Sequence, residues 1–224
     1  MSGKQAYYYD LHIHTSRHSS CSRISPEAAL SEARKQRLDG IALTEHFYLW
    51  TPEEIQELKA VAGCPEFPVL AGCEISTQSN GQATGDALVF GVTEAPNSPC
   101  TLDELCLTVH KQGGIVIAAH PLVERVGMGD EIHSTMIDGI ESANNRYRNL
   151  SDTTKLENIC QEMGIPSIGS SDAHDMGEIG RYCAQLDELV LTAQDLVRVI
   201  QEGGCRACLK PPPGKMRRFF LGLR

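Results

Sequence analysis

Short apolar runs alternate with longer amphipathic segments along most of this 224-residue chain. Each apolar run has the length of a β-strand, and the segments between the runs, rich in Glu, Leu and Ala, have the length of a helix. This alternation is typical of a mostly parallel sheet with helices packed on its outside. We predict strands at residues 7–13, 40–43, 68–73, 87–92, 115–119, 139–141 and 166–169.

The segments between the strands carry helix-start signals. Ser25-Pro26-Glu27 and Thr51-Pro52-Glu53 each place a capping hydroxyl, a first-turn proline and an acidic residue before an amphipathic stretch. We predict helices at residues 28–37, 55–61, 101–112, 151–163 and 192–202. Because α/β barrels commonly use about 200 to 250 residues as one unit, this pattern indicates a single TIM-like (β/α)7 barrel over residues 1–210. Residues 211–224 form a proline-rich basic tail, interpreted as a terminal segment that packs on the barrel or contacts a partner.

Nearly every predicted strand ends in a histidine or a carboxylate. Parallel strands deliver their last residues to one face of a barrel, so these side chains are expected to meet around one centre. Burying so many polar groups together costs several kcal/mol unless they are paired or bound to metal. The expected ligands are His12, His14, His18, His46, Glu74, His120, Asp172 and His174, too many for one ion. Mixed imidazole and carboxylate ligation suits two or three ions of zinc, manganese or iron.

Four ordered motifs carry a family resemblance: Asp10-Leu11-His12-Ile13-His14, Thr44-Glu45-His46, Ala119-His120-Pro121 and Ser171-Asp172-Ala173-His174. With Gly72-Cys73-Glu74, they resemble the PHP family, named for polymerase and histidinol phosphatase domains, over roughly residues 7–205. The resemblance implies a distorted seven-stranded (β/α) barrel with a trinuclear metal site. It implies that His12, His14, Glu74 and Asp172 hold one ion, that Glu74 and His120 share a second, and that His46 and His174 hold a third.

The sequence departs from this family pattern at two positions. Many relatives have a histidine before the fourth strand, where this chain has Asp86, which is expected to substitute as an oxygen ligand. His18 is either a ligand of the third ion or a residue that faces the substrate. Asn144 matches a related Glu-x-x-Asn pattern and is expected to contact the substrate or the ligands rather than a metal.

The expected chemistry is hydrolysis of a phosphoester by a metal-bridging hydroxide. Asp172 or His174 would orient the nucleophile or protonate the leaving oxygen, and Arg146, then Arg17, are the first choices for binding phosphate. A nuclease for short oligonucleotides and a non-catalytic metal-binding regulatory domain remain alternatives. An amidohydrolase is disfavoured because no strand end carries a lysine suited to carbamylation.

Composition limits the partners and the location. The formal net charge of −9 disfavours binding along a nucleic-acid duplex but permits a small phosphorylated substrate or a short nucleotide. The nine cysteines are expected to be free, and Cys205-Arg-Ala-Cys208 lacks the second pair of a zinc ribbon. Because no signal peptide or membrane-spanning run is recognisable, we expect a cytoplasmic protein that does not contact membranes. No pattern indicates an oligomeric state.

Overall fold

The structure, a computed structural model, describes residues 5–147 and 149–209. It has five α-helices among these residues, all of them close to the predicted positions: α1 (Pro26–Lys35), α2 (Pro52–Val61), α3 (Leu102–Lys111), α4 (Leu150–Met163) and α5 (Ala193–Gln201). The strands are β1 (Tyr7–Asp10), β2 (Gly40–His46), β3 (Val69–Ser79), β4 (Gln82–Phe90), β5 (Ile115–Ala118), β6 (Gly139–Ala143), β7 (Ser167–Gly169), β8 (Tyr182–Leu186) and β9 (Cys205–Leu209). The proline-rich tail predicted at residues 211–224 lies outside the described residues.

The helix starts follow the capping residues of the sequence. The Ser25 side chain accepts a hydrogen bond from the Ala28 backbone nitrogen at the start of α1. At the start of α2, Thr51 and Glu54 form a reciprocal capping box, which satisfies two backbone donors that the first turn leaves free. These local interactions fix where each helix begins, and therefore how long the preceding strand-end loop is.

The strands form one sheet in the order β7-β6-β5-β4-β3-β2-β1-β8-β9. Its edges approach each other, since the Ala207 backbone nitrogen of β9 donates to the Ser167 hydroxyl of β7 at 3.2 Å. Gly169 of β7 also lies so close to β8 that an added Cβ would be 2.4 Å from the Cys183 carbonyl oxygen. The sheet is therefore a nearly closed barrel, and the predicted TIM-like class is confirmed.

The barrel differs from the predicted (β/α)7 pattern in the number and direction of its strands. All seven predicted strands are present, but β8 and β9 extend the sheet to nine. Four of the eight pairings are antiparallel, namely β1 with β8, β3 with β4, β4 with β5 and β8 with β9. The β3–β4 hairpin turns at Asn80 and Gly81, both with positive φ, which is the backbone of a two-residue type I′ turn. The expectation of a mostly parallel sheet was therefore wrong for half of the pairs.

The inside of the barrel is apolar below one polar end. Along β4, Leu88 and Phe90 belong to an interior cluster that also includes Leu11 and Ile117. Asp86 precedes Leu88 by two residues and so shares its face of the strand. The polar end therefore lies directly above an apolar core. Electrostatic interactions between its side chains are stronger there than in water. Among the described residues, no helix is long and apolar enough to cross a membrane.

Candidate metal centre

The polar end of the barrel collects the side chains at the ends of the strands. His12 and His14 follow β1 in extended backbone, with Ile13 paired in parallel to Ala173 in an isolated bridge. The predicted first strand is therefore shorter than expected, but its alternation persists. The two imidazoles face the same way, with their Nε2 atoms 3.0 Å apart.

The Nδ1 contacts of His12 and His14 leave their two Nε2 atoms facing each other. Nδ1 of His12 lies 3.0 Å from Oε1 of Glu141, a carboxylate that only accepts. Nδ1 of His14 lies 3.3 Å from the Ser19 hydroxyl, which itself donates to Glu45 at 2.5 Å and so accepts from His14. Neutral rings with their protons on Nδ1 would direct both Nε2 lone pairs at one shared cation. Without a cation, burial acts to lower the pKa of both imidazoles, but the neighbouring carboxylates outweigh burial and raise it. This donor geometry fits a divalent metal ion.

Glu74 lies at the centre of the histidines. Its Oε1 atom lies 3.4 Å from Nε2 of His12 and 3.1 Å from Nε2 of His120. Its Oε2 atom lies 3.2 Å from Nε2 of His14 and 3.0 Å from Nδ1 of His46. Burial acts to raise the pKa of Glu74, but the charge of His12 and the imidazole hydrogen bonds outweigh it and hold the pKa well below its usual range. Each oxygen therefore faces a different pair of imidazoles, so Glu74 would be available to two ions at once.

Asp172 closes the other side of the centre. Its Oδ1 atom lies 3.5 Å from Nε2 of His12 and 3.4 Å from Nε2 of His14. Burial acts to raise its pKa, but His12 and His14 outweigh burial and lower the pKa. Asp172 has φ 52° and His120 has φ 28°, in the left-handed region that costs energy for residues with a side chain. Strained backbone at two converging side chains is characteristic of a functional site.

These contacts define three overlapping groups whose possible ligand atoms lie within 4.8 Å of one another. The groups are His12-His14-Glu74, His12-His120-Asp172 and Glu74-Asp86-His120. Their six members (His12, His14, Glu74, Asp86, His120 and Asp172) are called the strand-end cluster below. Asp86 is held on its other side by the Ser76 hydroxyl at 2.6 Å, and burial, then Glu74, raise its pKa. Asp86 thus lies with Glu74 and His120, and its role as the oxygen ligand that replaces the family histidine stays a prediction.

His18 and Arg17 lie on the loop after β1, outside the three groups. The His18 ring stacks on Tyr48 with ring centroids 3.7 Å apart, and its Nε2 atom lies 3.3 Å from Oε1 of Glu54. Among the described residues, His18 belongs to none of the groups that could hold a metal. Arg17 lies over the Trp50 ring, 5.4 Å from its centroid, with an exposed contact to Glu27 at 3.5 Å.

Arg146 lies against the strand-end cluster, whereas Asn144 lies beneath it. Arg146 donates from Nε to Oδ2 of Asp172 at 2.6 Å. Asn144 is fully buried and donates to Oε2 of Glu141 at 3.1 Å, while its own oxygen accepts from the Arg146 backbone nitrogen at 2.8 Å. Asn144 therefore contacts Glu141 and the arginine backbone, and it lies out of contact with solvent.

Two buried glutamates that the predicted ligand set omits hold the histidines in place. Glu141 accepts from His12, from the His120 backbone nitrogen at 2.7 Å and from the Ser170 hydroxyl. Glu45 accepts from Thr15, from Ser19 and from Trp50 Nε1 at 3.1 Å. Both glutamates lie at predicted strand ends. The alternation of residues along a strand does not show that they bind the histidines and their neighbours instead of a metal.

The comparisons with known proteins agree with this architecture. The PHP domain model matches residues 10–151, and a PHP-associated model matches residues 153–205. No curated protein matches the sequence significantly.

Several solved structures share the fold at low sequence identity. A two-domain Bacteroides vulgatus protein containing a predicted PHP-like metal-dependent phosphoesterase superposes with a TM-score of 0.67 at 18% identity, covering 94% of this chain and 66% of that one. A putative metal-dependent phosphoesterase from Bifidobacterium adolescentis gives 0.62 at 18%, covering 87% and 96%. The lesion-specific endonuclease PfuEndoQ from Pyrococcus furiosus gives 0.62 at 16%, covering 91% and 58%. These likenesses show the fold, and the PHP model, which spans more than half of the chain, shows that the protein belongs to the PHP domain family.

Proposed function

We propose that the protein is a metal-dependent hydrolase of phosphoester bonds in a small phosphorylated molecule or a short nucleotide. The observation that carries the proposal is the strand-end cluster, in which six imidazole and carboxylate side chains converge in three overlapping groups. Membership of the PHP family and the likeness to structures named as metal-dependent phosphoesterases support it. Two or three ions of zinc, manganese or iron are the proposed cofactors.

The proposed ligands form two sets that share Glu74. His12, His14 and Asp172 are proposed to hold one ion together with Glu74. His120 and Asp86 are proposed to hold a second on the Oε1 side. Such divalent ions supply a nucleophilic water at neutral pH and neutralise the charge that develops on phosphate.

Arg146 is the proposed phosphate-binding residue. Its Nη2 atom lies 3.0 Å from the main-chain oxygen of Asp172 and 2.6 Å from Nδ1 of His174, so both of its present partners belong to the protein. A phosphoryl oxygen would give the guanidinium an acceptor of its own, since the arginine side chain is 36% exposed at the rim. Asp172 orients the guanidinium through Nε.

Asp172 and His174 are proposed to lie closest to the bond that breaks. The His174 ring is 20% exposed beside Asp172 Oδ1, at 3.4 Å, so a substrate can approach it from solvent. Burial, then the charge of His14, lower the pKa of His174, which keeps the imidazole neutral near pH 7. Arg17, which lies over the Trp50 ring, is proposed as a second phosphate-binding residue.

One observation favours a nucleotide among the small substrates. Phe47 directly follows His46, and the centroids of the two rings are 6.3 Å apart. Its backbone has φ 56°, and 48% of its surface is exposed. An exposed aromatic ring next to an imidazole of the metal centre offers a stacking surface for a base. Phe47→Ala is expected to raise KM for a dinucleotide and to leave KM for p-nitrophenyl phosphate unchanged. Equal KM changes for both substrates would argue against the nucleotide.

The direct test of phosphoester hydrolysis uses p-nitrophenyl phosphate and its bis ester after loading with Zn²⁺, Mn²⁺ or Fe²⁺. Release of p-nitrophenol should require metal and should fall to the background rate in the double variant His12→Ala/His14→Ala. His133→Ala is the matched control, because His133 is exposed on a short 3-10 helix (Gly129–His133) outside the groups. Full activity in the double variant would refute the proposal, as would hydrolysis of neither ester.

A further inference from the structure

A fourth group of possible metal ligands lies at the mouth of the barrel, on the solvent side of the strand-end cluster. It consists of His14, Cys21, His46 and His174, with one donor atom from each within 4.8 Å of the others. Cys21 is exposed, whereas the other eight cysteines are all buried or half-buried and belong to no such group among the described residues. The thiol therefore stands where an ion would be reachable from solvent.

Both ring nitrogens of His14 already face other side chains of the protein. Its Nε2 atom faces Glu74 and Asp172, and its Nδ1 atom faces Ser19. Its ring instead forms a wall between the other two imidazoles, with centroids 4.5 Å from those of both His46 and His174. Three donors of the group then remain for an additional ion.

Each remaining imidazole directs one nitrogen to an acceptor of the protein. Nδ1 of His46 lies 3.0 Å from Oε2 of Glu74. Nδ1 of His174 lies 3.0 Å from the main-chain oxygen of Asp172 and 2.6 Å from Nη2 of Arg146. When Nδ1 of His46 donates to Glu74, its Nε2 carries the lone pair that a metal needs, and His174 offers one ring nitrogen within the same 4.8 Å group.

The loop that carries Cys21 is tied to the backbone of the histidines around it. The Ser22 hydroxyl donates to the His14 carbonyl oxygen at 2.7 Å, and the Arg23 backbone nitrogen donates to the His174 carbonyl oxygen at 2.9 Å. The His46 backbone nitrogen lies 3.3 Å from the Ser19 hydroxyl. Hydrogen bonds on both sides of Cys21 hold the thiol next to the imidazoles before any ion binds.

We propose that Cys21 is a thiolate ligand of a metal ion held together with His46 and His174 at the mouth of the barrel. The proposal rests on the proposed function, because this ion is the third one that the family resemblance implies for His46 and His174; the new element is the Cys21 thiolate. Three protein ligands with one open position are typical of a zinc site that also contacts a substrate. A thiolate favours zinc or ferrous iron over magnesium, calcium or manganese, so Cys21 would set the metal preference of this position.

Cobalt substitution tests the proposal without an activity measurement. The full chain is stripped of metal under reducing conditions and titrated with Co²⁺, which gives a thiolate-to-cobalt charge-transfer band in the near ultraviolet only when sulfur is a ligand. The wild type and Cys100→Ser, a half-buried cysteine outside the group, should show the band. Cys21→Ser should lack it and should bind up to one equivalent less metal by elemental analysis.

Alkylation supplies a second readout on the same samples. Iodoacetamide should modify Cys21 in the metal-free protein, since the residue is exposed, and Zn²⁺ loading should protect it. A band that persists in Cys21→Ser, or modification of Cys21 that zinc does not slow, would overturn the proposal. Loading of the strand-end cluster without a charge-transfer band would overturn Cys21 as a ligand and leave the proposed hydrolysis standing. Failure to bind any ion would overturn both.

Discussion

Glu141→Gln tests how the barrel prepares His12 for a metal. The Glu141 side chain is fully buried and receives donors on both oxygens. Oε1 faces Nδ1 of His12 and the Ser170 hydroxyl, whereas Oε2 faces the His120 backbone nitrogen and Nδ2 of Asn144. Glutamine keeps one acceptor oxygen and replaces the other with a donor NH₂ group. One of the two pairs of groups that donate to Glu141 must then face the NH₂ group of the glutamine, which cannot accept their hydrogen bonds.

The amide nitrogen is expected on the His12 side, because the Ser170 hydroxyl can rotate to accept from it. His12 must then accept at Nδ1 and carry its proton on Nε2, the atom that faces His14. Loss of such an outer partner lowers metal affinity by about 10- to 100-fold, or roughly 1.4 to 2.7 kcal/mol. Glu141→Gln should therefore bind the first ion less tightly by this amount.

The assay is competition for Zn²⁺ between the metal-free protein and a chromophoric chelator. Glu157→Gln, on the exposed side of α4, is the matched control and should bind like the wild type. Thermal unfolding of each metal-free variant is the control that checks whether it is folded at the assay temperature. Wild-type zinc affinity in folded Glu141→Gln would refute the argument that this carboxylate sets the proton position of His12.

Other substitutions test separate parts of the structure. Arg146→Lys, which loses the Nε contact to Asp172, should raise KM for p-nitrophenyl phosphate about tenfold, and an unchanged KM would exclude Arg146 from phosphate binding. Tyr9→Phe removes the buried hydroxyl that donates to the Val190 carbonyl oxygen at 2.5 Å, and denaturant unfolding should show a loss of about 1 to 2 kcal/mol with hydrolysis unaffected. Gly169→Ala would bring a Cβ within 2.4 Å of the β8 backbone and should lower the free energy of unfolding by about 1 to 3 kcal/mol in the same assay. No loss would mean that β7 and β8 can move apart without cost.

The sequence was informative where one local rule dominates. The pairs Ser25-Pro26 and Thr51-Pro52 predicted the starts of two helices, because a capping hydroxyl and a proline in the first turn act on the nearest backbone. Period-two alternation placed His12 and His14 on one side although β1 ends at Asp10. Alternation survives there because the chain stays extended beyond the last ladder hydrogen bond.

Strand direction and the outer contacts of the site required the fold. Asn80-Gly81 is a strong hairpin signal that would have indicated the antiparallel β3–β4 pair. The position of Cys21 beside His46 and His174 follows from long-range loop contacts, which strand-end spacing does not contain. His18 stands close to His14 in sequence but stacks on Tyr48, so proximity along the chain did not place it in a ligand group.

The central claim is that the strand-end cluster binds the metal that hydrolysis requires. Its most direct test is to titrate metal-free protein with Zn²⁺, Mn²⁺ or Fe²⁺ while measuring bound metal by elemental analysis and p-nitrophenyl ester hydrolysis in the same samples. We predict that the chain binds at least two equivalents, that hydrolysis rises with occupancy, and that a chelator reverses both. Hydrolysis that persists without bound metal, or full occupancy without hydrolysis of either ester, would contradict the account.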